Sequence, residues 1–482
     1  MTDKTTALFA DFYEFTMAQG YWKTGINRKS VFEMFFRKNP FLGGFSIFAG
    51  LQTLIDALKT FSFSHDDLEY LRSLDFFEEA FIDFLKDFHF SGDVYAQEEG
   101  SVVFPQEPIL RVEGGLIECQ LIEGLVLNTI NFQSLVATKT ARVFLASGKG
   151  QIMEFGLRRA QGPDGALSAS RAAVIGGAAG VSNVEAGKRF GVKLMGTMAH
   201  SWVMAFPGEE EAFRAYAALY PRHPVFLIDT YDTLKSGIVN AIKVGKELAK
   251  NGGSFGVRLD SGDVQYLSCE VRKRLDAEGF KNATIAVSND LDEEIISALV
   301  DENAPVNSWG VGTKMVTGRP DAAFTGVYKL AAFEDANGMM LPSIKFSDNP
   351  EKTTIPGIKQ VWRIYDKNGM AQADVNTMEE MQGGEKIESG KHYTFYHTSA
   401  DYRHFHHFVE KEPVPLLKKC VEGGAQISKE KPVSALRERC LSELDSLDPS
   451  YKRILNPHIY KVSISEKLRT LKLNLIKKYL GD

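Results

Sequence analysis

Four cysteines, Cys119, Cys269, Cys420 and Cys440, are too few and too scattered in 482 residues for a disulfide scaffold, and no C-x-x-C pair offers zinc or redox chemistry. Their scarcity points to a reducing compartment, so the expected location is cytoplasmic. No stretch reaches the roughly 18 uninterrupted apolar residues that a membrane span needs. Asp3, Lys4, Asp11 and Glu14 interrupt the apolar residues between Met1 and Gly20, which therefore do not read as a signal peptide. A basic excess is missing too: 56 Lys and Arg against 62 Asp and Glu leave a formal net charge of -6, which argues against a nucleic-acid binder. Any anionic substrate must be held by local basic residues.

A hydrophobic content of 44% supplies a large core, and the length exceeds the usual span of one domain. Short apolar runs predict strands at Gln151–Phe155, Val192–Met195, Val225–Ile228, Phe255–Leu259, Thr284–Val287 and Ser308–Val311. Amphipathic segments at Ile238–Lys250, Val264–Gly279 and Leu291–Glu302 alternate with them. Alternation of this kind implies a mainly parallel sheet, either doubly wound or closed, and the number of units favours a barrel. The first residues are aromatic-rich and helical at Leu68–Phe90, then β-like at Val94–Val112; the last contain a β-like Gln360–Asp366 and a basic helix at Ile464–Tyr479. The expected division is a flanking domain at 1–120, a catalytic barrel at 121–335, and a C-terminal region at 336–482 that packs with the flanking domain.

Parallel α/β folds gather their reactive groups on the loops that follow the strands. Here those positions carry Arg158 and Arg159, Thr197 and His200, Asp229 and Asp232, Asp260, Ser261 and Asp263, Ser288, Asn289 and Asp290, then Gly310, Gly312, Thr313 and Lys314. A single polar residue there is ordinarily a helix cap or turn former. Six sets in register suit a substrate that is both phosphorylated and metal-bound. The Trp309–Lys314 segment, WGVGTK, reads either as an anion-binding nest or as an ordinary glycine turn. Among the aspartates, Asp229, Asp232, Asp260 and Asp263 could hold Mg²⁺ through water, or Asp232 and Asp263 could cap helices.

Other motifs fail. Gly252–Gly256 spells G-x-S-x-G but precedes a strand, whereas a hydrolase nucleophile follows one. Gly187-Lys188 has Ser182 in place of the leading P-loop glycine and Arg189 in place of the final hydroxyl residue, and Gly176–Gly180 lacks dinucleotide-site spacing. His404, His406 and His407 lie among Phe405 and Phe408, a pattern more typical of packed or surface residues than of metal ligands.

Eight segments together resemble the nicotinate phosphoribosyltransferase family and, more distantly, nicotinamide phosphoribosyltransferase. They are DFYEFTMAQGYW (Asp11–Trp22), EFGLRRAQGPDGALSASRAA (Glu154–Ala173), GVSNVEAG (Gly180–Gly187), GTMAHSWVMAF (Gly196–Phe206), DTYDTLKSG (Asp229–Gly237), GVRLDSGD (Gly256–Asp263), SNDLDE (Ser288–Glu293) and WGVGTKMVTG (Trp309–Gly318). The resemblance covers most of the chain and is weakest in the C-terminal hundred residues. It implies a type II phosphoribosyltransferase fold, an irregular TIM-like α/β barrel with a flanking α/β domain, and a homodimer with shared active sites. The implied reaction joins nicotinate to 5-phosphoribosyl 1-pyrophosphate with ATP hydrolysis and Mg²⁺, giving nicotinate mononucleotide and pyrophosphate for NAD salvage.

By that resemblance His200 is the residue phosphorylated by ATP, and Phe155 and the second subunit's Tyr13 sandwich the pyridine ring. Arg158 and Arg258 hold anionic groups, Asp260 contacts ribose, and Gly310, Gly312 and Thr313 bind the 5′-phosphate. The implied substrate-binding set also takes in Ser182, Asn183, Thr197, Ser201, Asp229, Ser288 and Asn289, with Asp229 and Asp260 as water-mediated Mg²⁺ ligands. Neither nucleic acid nor membrane is an expected partner. The alternatives are a quinolinate or nicotinamide phosphoribosyltransferase of the same fold, or a barrel sugar-phosphate aldolase or isomerase. Quinolinate enzymes lack the ATP-linked histidine segment, and an aldolase needs a Schiff-base lysine within a strand, where only Lys193 is available.

Overall fold

A computed structural model describes residues 6–347, 349, 352–379, 383–400 and 402–480. The chain forms two compact units. One comprises Val136–Ala322 with Pro432–Arg437; the other comprises Met1–Leu135, Ala323–Lys431 and Glu438–Asp482.

The first unit is built on six parallel strands: β1 (Gln151–Glu154), β2 (Gly180–Val181), β3 (Val225–Leu227), β4 (Gly256–Leu259), β5 (Thr284–Ser288) and β6 (Ser308–Val311). Their hydrogen-bonded order is β2-β1-β6-β5-β4-β3, and Leu194 adds a parallel bridge to Val181. Followed round, the strands run in chain order and β6 returns to β1, which is the connectivity of a barrel. Among the described residues, one junction has no ladder, between the Leu194 segment and β3. The strands bury nearly every side chain, as parallel strands covered on both faces do.

Five of the six expected strands are present within a residue or so of their expected limits. The sixth, Val192–Met195, makes only the Leu194 bridge, and the two-residue β2 stands where no strand was expected. Helices fill the expected intervals at Ile238–Lys250, Val264–Ala277 and Glu293–Asp301. Asp263 accepts from the Tyr266 N–H at 3.0 Å, and Asp232 accepts from Leu234 and Lys235 at 3.1 and 2.8 Å. Of the two roles open to these aspartates, the one observed is therefore capping. Such caps fix where each loop ends, and so where the preceding polar residues sit above the sheet.

The second unit contains an antiparallel seven-stranded sheet and a mixed six-stranded sheet. At the centre of the first lies Lys29–Phe36, paired with both Leu110–Gly115 and Gly326–Glu334. Its core is rich in phenylalanine, including Phe15, Phe32, Phe36, Phe48, Phe61 and Phe81, each at most 5% exposed. The segment expected to be helical over Leu68–Phe90 splits into His65–Ser73 and Glu79–Leu85. Asp75 interrupts it with φ of 47°, a left-handed conformation that a helix cannot pass through. The Gln360–Asp366 and Ile464–Tyr479 readings correspond to a strand at Lys359–Tyr365 and a helix at Glu466–Leu480. No helix among the described residues is long and apolar enough to cross a membrane.

Candidate functional site

The strand ends of the barrel unit converge on Arg258, the third residue of β4. Its Nε donates to Ser288 Oγ at 2.7 Å, one terminal nitrogen donates to Thr197 Oγ1 at 2.8 Å and to the Met198 carbonyl at 3.2 Å, and the other donates to Asp260 Oδ1 at 3.0 Å. One guanidinium thus ties together β4, the end of β5 and the Gly196–Ala199 approach to His200. Its carbon lies 5.8 Å from the Phe155 ring centroid. A delocalised cation bonded on every edge is held in orientation, which a lysine could not reproduce.

Asp260 is the second node. Its Oδ1 also accepts from the Ser288 hydroxyl, and its backbone N–H donates to Asp229 Oδ2 at 2.9 Å, where the Ser261 hydroxyl joins at 2.6 Å. Burial pushes the Asp260 carboxyl up, but the Ser288 hydroxyl, the Arg258 guanidinium and the His200 ring together hold it below the usual carboxylate value. His200 opens the short helix His200–Met204, with Nε2 at 3.7 Å from Asp260 Oδ2 and Nδ1 at 3.1 Å from Thr230 Oγ1. The imidazole is 40% exposed, so a large phosphorylated reactant can approach it.

Phe155 follows β1 directly, and its N–H donates to the Val311 carbonyl at 2.9 Å. The turn after it is fastened by Glu154, whose buried carboxylate accepts from the Gly156 N–H and, at 2.8 Å, from the Ser170 hydroxyl. Arg158, on the 3-10 turn Leu157–Arg159, is exposed and makes no hydrogen bond or ion pair with any described residue. It is a free cation beside the phenyl ring's own turn. Ser182 donates its N–H to the Glu154 carbonyl at 3.0 Å, while Asn183 caps the helix Val184–Phe190 by accepting from Ala186. Thr313 begins the short helix Thr313–Val316 directly after Gly312.

Some expected residues stand apart from this network. Ser201 and Asn289 are exposed and outside it. Lys314, part of the supposed anion loop, is held by Asp292 Oδ2 at 2.6 Å, a partner 22 residues away that the sequence did not reveal. Tyr13 belongs to the second unit, on the helix Phe12–Lys23, and is 46% exposed. Partial burial, then the Glu123 and Glu14 carboxylates, push its phenol up.

For a divalent cation the donor set is fitting though sparse. Asp229 Oδ1 is buried without a hydrogen-bond partner, an oxygen that a cation's water would satisfy. Among the described residues there is no cluster of three or more His, Cys, Asp or Glu that could hold a metal by itself. Phosphate and water would have to complete the shell, as is usual for Mg²⁺.

Two features escaped the sequence reading. Thr230, between Asp229 and the exposed Tyr231, orients His200; its place in the polar run IDTYD was the available signal. In the second unit, a cavity of about 640 Å³ is lined by Arg37, Lys38, His397 and His458 and, among the described residues, by no carboxylate. Arg37 Nε is buried there without a partner, and Leu42, Gln106 and Asn456 on its walls hold positive φ of 49°, 71° and 45°. Such a wall suits an anion, but Arg37-Lys38 in sequence is only one basic pair among many.

Three family models match in succession: the nicotinate phosphoribosyltransferase N-terminal domain over residues 8–131, the nicotinate phosphoribosyltransferase family over 150–377, and its C-terminal domain over 358–472. Nicotinate phosphoribosyltransferase of Bacillus subtilis is 40% identical over 98% of this chain and 96% of its own. The chain belongs to the nicotinate phosphoribosyltransferase family. A crystal structure of human nicotinic acid phosphoribosyltransferase is similar at 31% identity and a TM-score of 0.83, covering 96% of this chain and 99% of that one. A nicotinate-nucleotide pyrophosphorylase from Pyrococcus furiosus, 22% identical with a TM-score of 0.68 over 91% of this chain and 95% of its own, shares the fold.

Proposed function

We propose that this family member joins nicotinate to 5-phosphoribosyl 1-pyrophosphate, releasing pyrophosphate and nicotinate mononucleotide, and that it couples this to ATP through His200. The supporting observation is the Arg258 hub, which sets a fixed cation, the Asp260 carboxylate and the partly exposed His200 beside the Phe155 ring. The pyridine nitrogen of nicotinate has a free lone pair, so attack on ribose C1 needs positioning and no general base. Phe155 offers an aromatic face, and Arg158 and Arg258 offer guanidinium groups to the carboxylate and phosphates. As the C1–oxygen bond breaks, positive charge develops on the sugar, where the Asp260 carboxylate is of the correct sign.

The glycine-flanked start of Thr313–Val316 and the Ser288 hydroxyl supply further donors for phosphate and ribose oxygens. Asp229 and Asp260 would hold Mg²⁺ through water, and the ion would offset charge on the departing pyrophosphate. In the ATP half-reaction an imidazole nitrogen of His200 attacks the γ-phosphorus, ADP leaves, and water later cleaves the N–P bond to restore the histidine and release phosphate. A homodimer with Tyr13 completing the partner's site fits the surface exposure of that ring. Mixing Tyr13→Ala with Arg258→Ala subunits should restore part of the activity, because a hybrid dimer regains one intact site.

His200→Asn should retain slow ATP-independent transfer while losing ATP hydrolysis and labelling by γ-phosphate-labelled ATP. Equal labelling of variant and parent would remove His200 from the role. Nicotinamide should be a far poorer substrate than nicotinate, since an amide offers no charge-assisted pair to arginine.

A further inference from the structure

Two glycines lie close together in WGVGTK, and the structure gives them different surroundings. Gly310 is the third residue of β6, flanked in the ladder by Ser288 of β5 on one side and Met153 of β1 on the other. Phe155 lies two residues beyond Met153, on the same face of the strand line, and its ring crosses over Gly310. A Cβ at Gly310 would stand 2.7 and 2.8 Å from two ring carbons of Phe155 and 3.0 Å from Ser288 Cβ. Carbon contacts that short are not tolerated, so the ring would have to leave its place. Gly310 is not among the residues of positive φ, so space and not backbone conformation demands glycine here. At Gly312 the nearest atom to such a Cβ is the Phe155 carbonyl oxygen at 3.2 Å, a backbone contact with no ring involved.

We propose that Gly310 is a positioning residue for the pyridine substrate: its bare backbone is the seat of the Phe155 ring, and it does not serve the phosphate. Gly312 and Thr313 are left as the anion-facing part of the segment. The inference rests on the reading of Phe155 as the platform for nicotinate. It separates two functions that the sequence motif presents as one, and it makes the tilt of the ring, and hence selectivity for a flat aromatic base, depend on a residue with no side chain.

The test is a double-mutant cycle on Gly310→Ala and Phe155→Ala, with KM measured separately for nicotinate and for phosphoribosyl pyrophosphate. Gly310→Ala should raise the nicotinate KM about tenfold or more, a typical effect of one methyl forced into a packed contact, and leave the other KM within about twofold. With the ring gone the one tight contact left to the added methyl is Ser288 Cβ at 3.0 Å, which has to give by only a few tenths of an ångström, so Phe155→Ala/Gly310→Ala should match Phe155→Ala in both constants to within about twofold. A rise in the phosphoribosyl pyrophosphate KM on adding Gly310→Ala to Phe155→Ala would overturn the proposal and return Gly310 to the phosphate. That comparison stands even if the single Gly310→Ala variant does not fold. Failure of the underlying reading would look different: Phe155→Ala alone would leave the nicotinate KM unchanged, which would overturn the proposal with it.

Discussion

The two units use charge in opposite ways. In the barrel unit, Arg258, Asp260 and His200 are partly exposed and bonded to hydroxyl groups as much as to each other. In the second unit, Arg363 and Asp374 are 2% and 0% exposed and pair at 2.7 Å, with Glu443 and the Tyr460 hydroxyl closing the set. Lys359 and Glu33 form another buried pair at 2.6 Å. A charge kept within reach of solvent is available to a ligand, whereas a charge sealed against its partner can only hold the fold in register. The barrel unit also holds a cluster of the second kind, Glu293 with Lys139 and Arg142, all at most 4% exposed. The difference therefore follows burial and not the unit as such.

The largest expected effect lies on the sealed side. Asp374→Ala removes the two-pronged partner of Arg363, leaving Glu443 alone to balance a buried guanidinium, and should cost about 3 kcal/mol or more of stability, read from denaturant unfolding, while molecules that remain folded keep their kcat/KM. A comparable loss of catalytic efficiency in folded protein would break the comparison. On the open side, Arg258→Ala should lower kcat/KM by about a hundredfold or more through lost charge stabilisation, with only a small change in Tm. Unfolding as the main consequence would make Arg258 another structural ion.

Next comes a pH effect in the second unit. Burial, then the Glu123 and Asp11 carboxylates, raise the Glu14 carboxyl from 4.5 to about 8. Because the folded state keeps that proton while the unfolded chain has lost it, this group's contribution to stability falls as pH rises from about 4.5 to about 8. Glu14→Gln should therefore gain stability relative to the parent at the upper end of that window and little at the lower end. A difference independent of pH would show that Glu14 does not titrate there. The smallest effect is expected for Thr230→Val, which removes one hydrogen bond worth about 1 kcal/mol and should slow ATP-dependent labelling of His200 about fivefold. Slowing of phosphoribosyl transfer without ATP by the same factor would place Thr230 outside that step.

The barrel was largely readable in the sequence because its physical signals are local. Parallel strands buried on both faces appear as short apolar runs, and Asp232, Asp263 and Asp292 cap the helices that follow them within three residues. The two-residue β2 carried too little of either signal, and Val192–Met195 read as a strand although only Leu194 bridges. In the candidate site, the residue types at each strand end were visible, but not which would bond to which. Arg258 meets Thr197 across 61 positions, and Lys314 is taken up by Asp292 across 22. The second unit was harder to read because its order depends on such distant pairings throughout. The Arg363–Asp374 pair follows from cross-strand register, and the Leu68–Phe90 break follows from one left-handed residue, Asp75.

The most direct test of the account is to incubate the purified chain with phosphoribosyl pyrophosphate, Mg²⁺ and either nicotinate or nicotinamide, with and without ATP, and to measure both mononucleotides by mass spectrometry. Nicotinate mononucleotide should form, faster with ATP, and the nicotinamide product should be minor. No nicotinate mononucleotide under any condition, or equal efficiency with the two bases, would contradict the account.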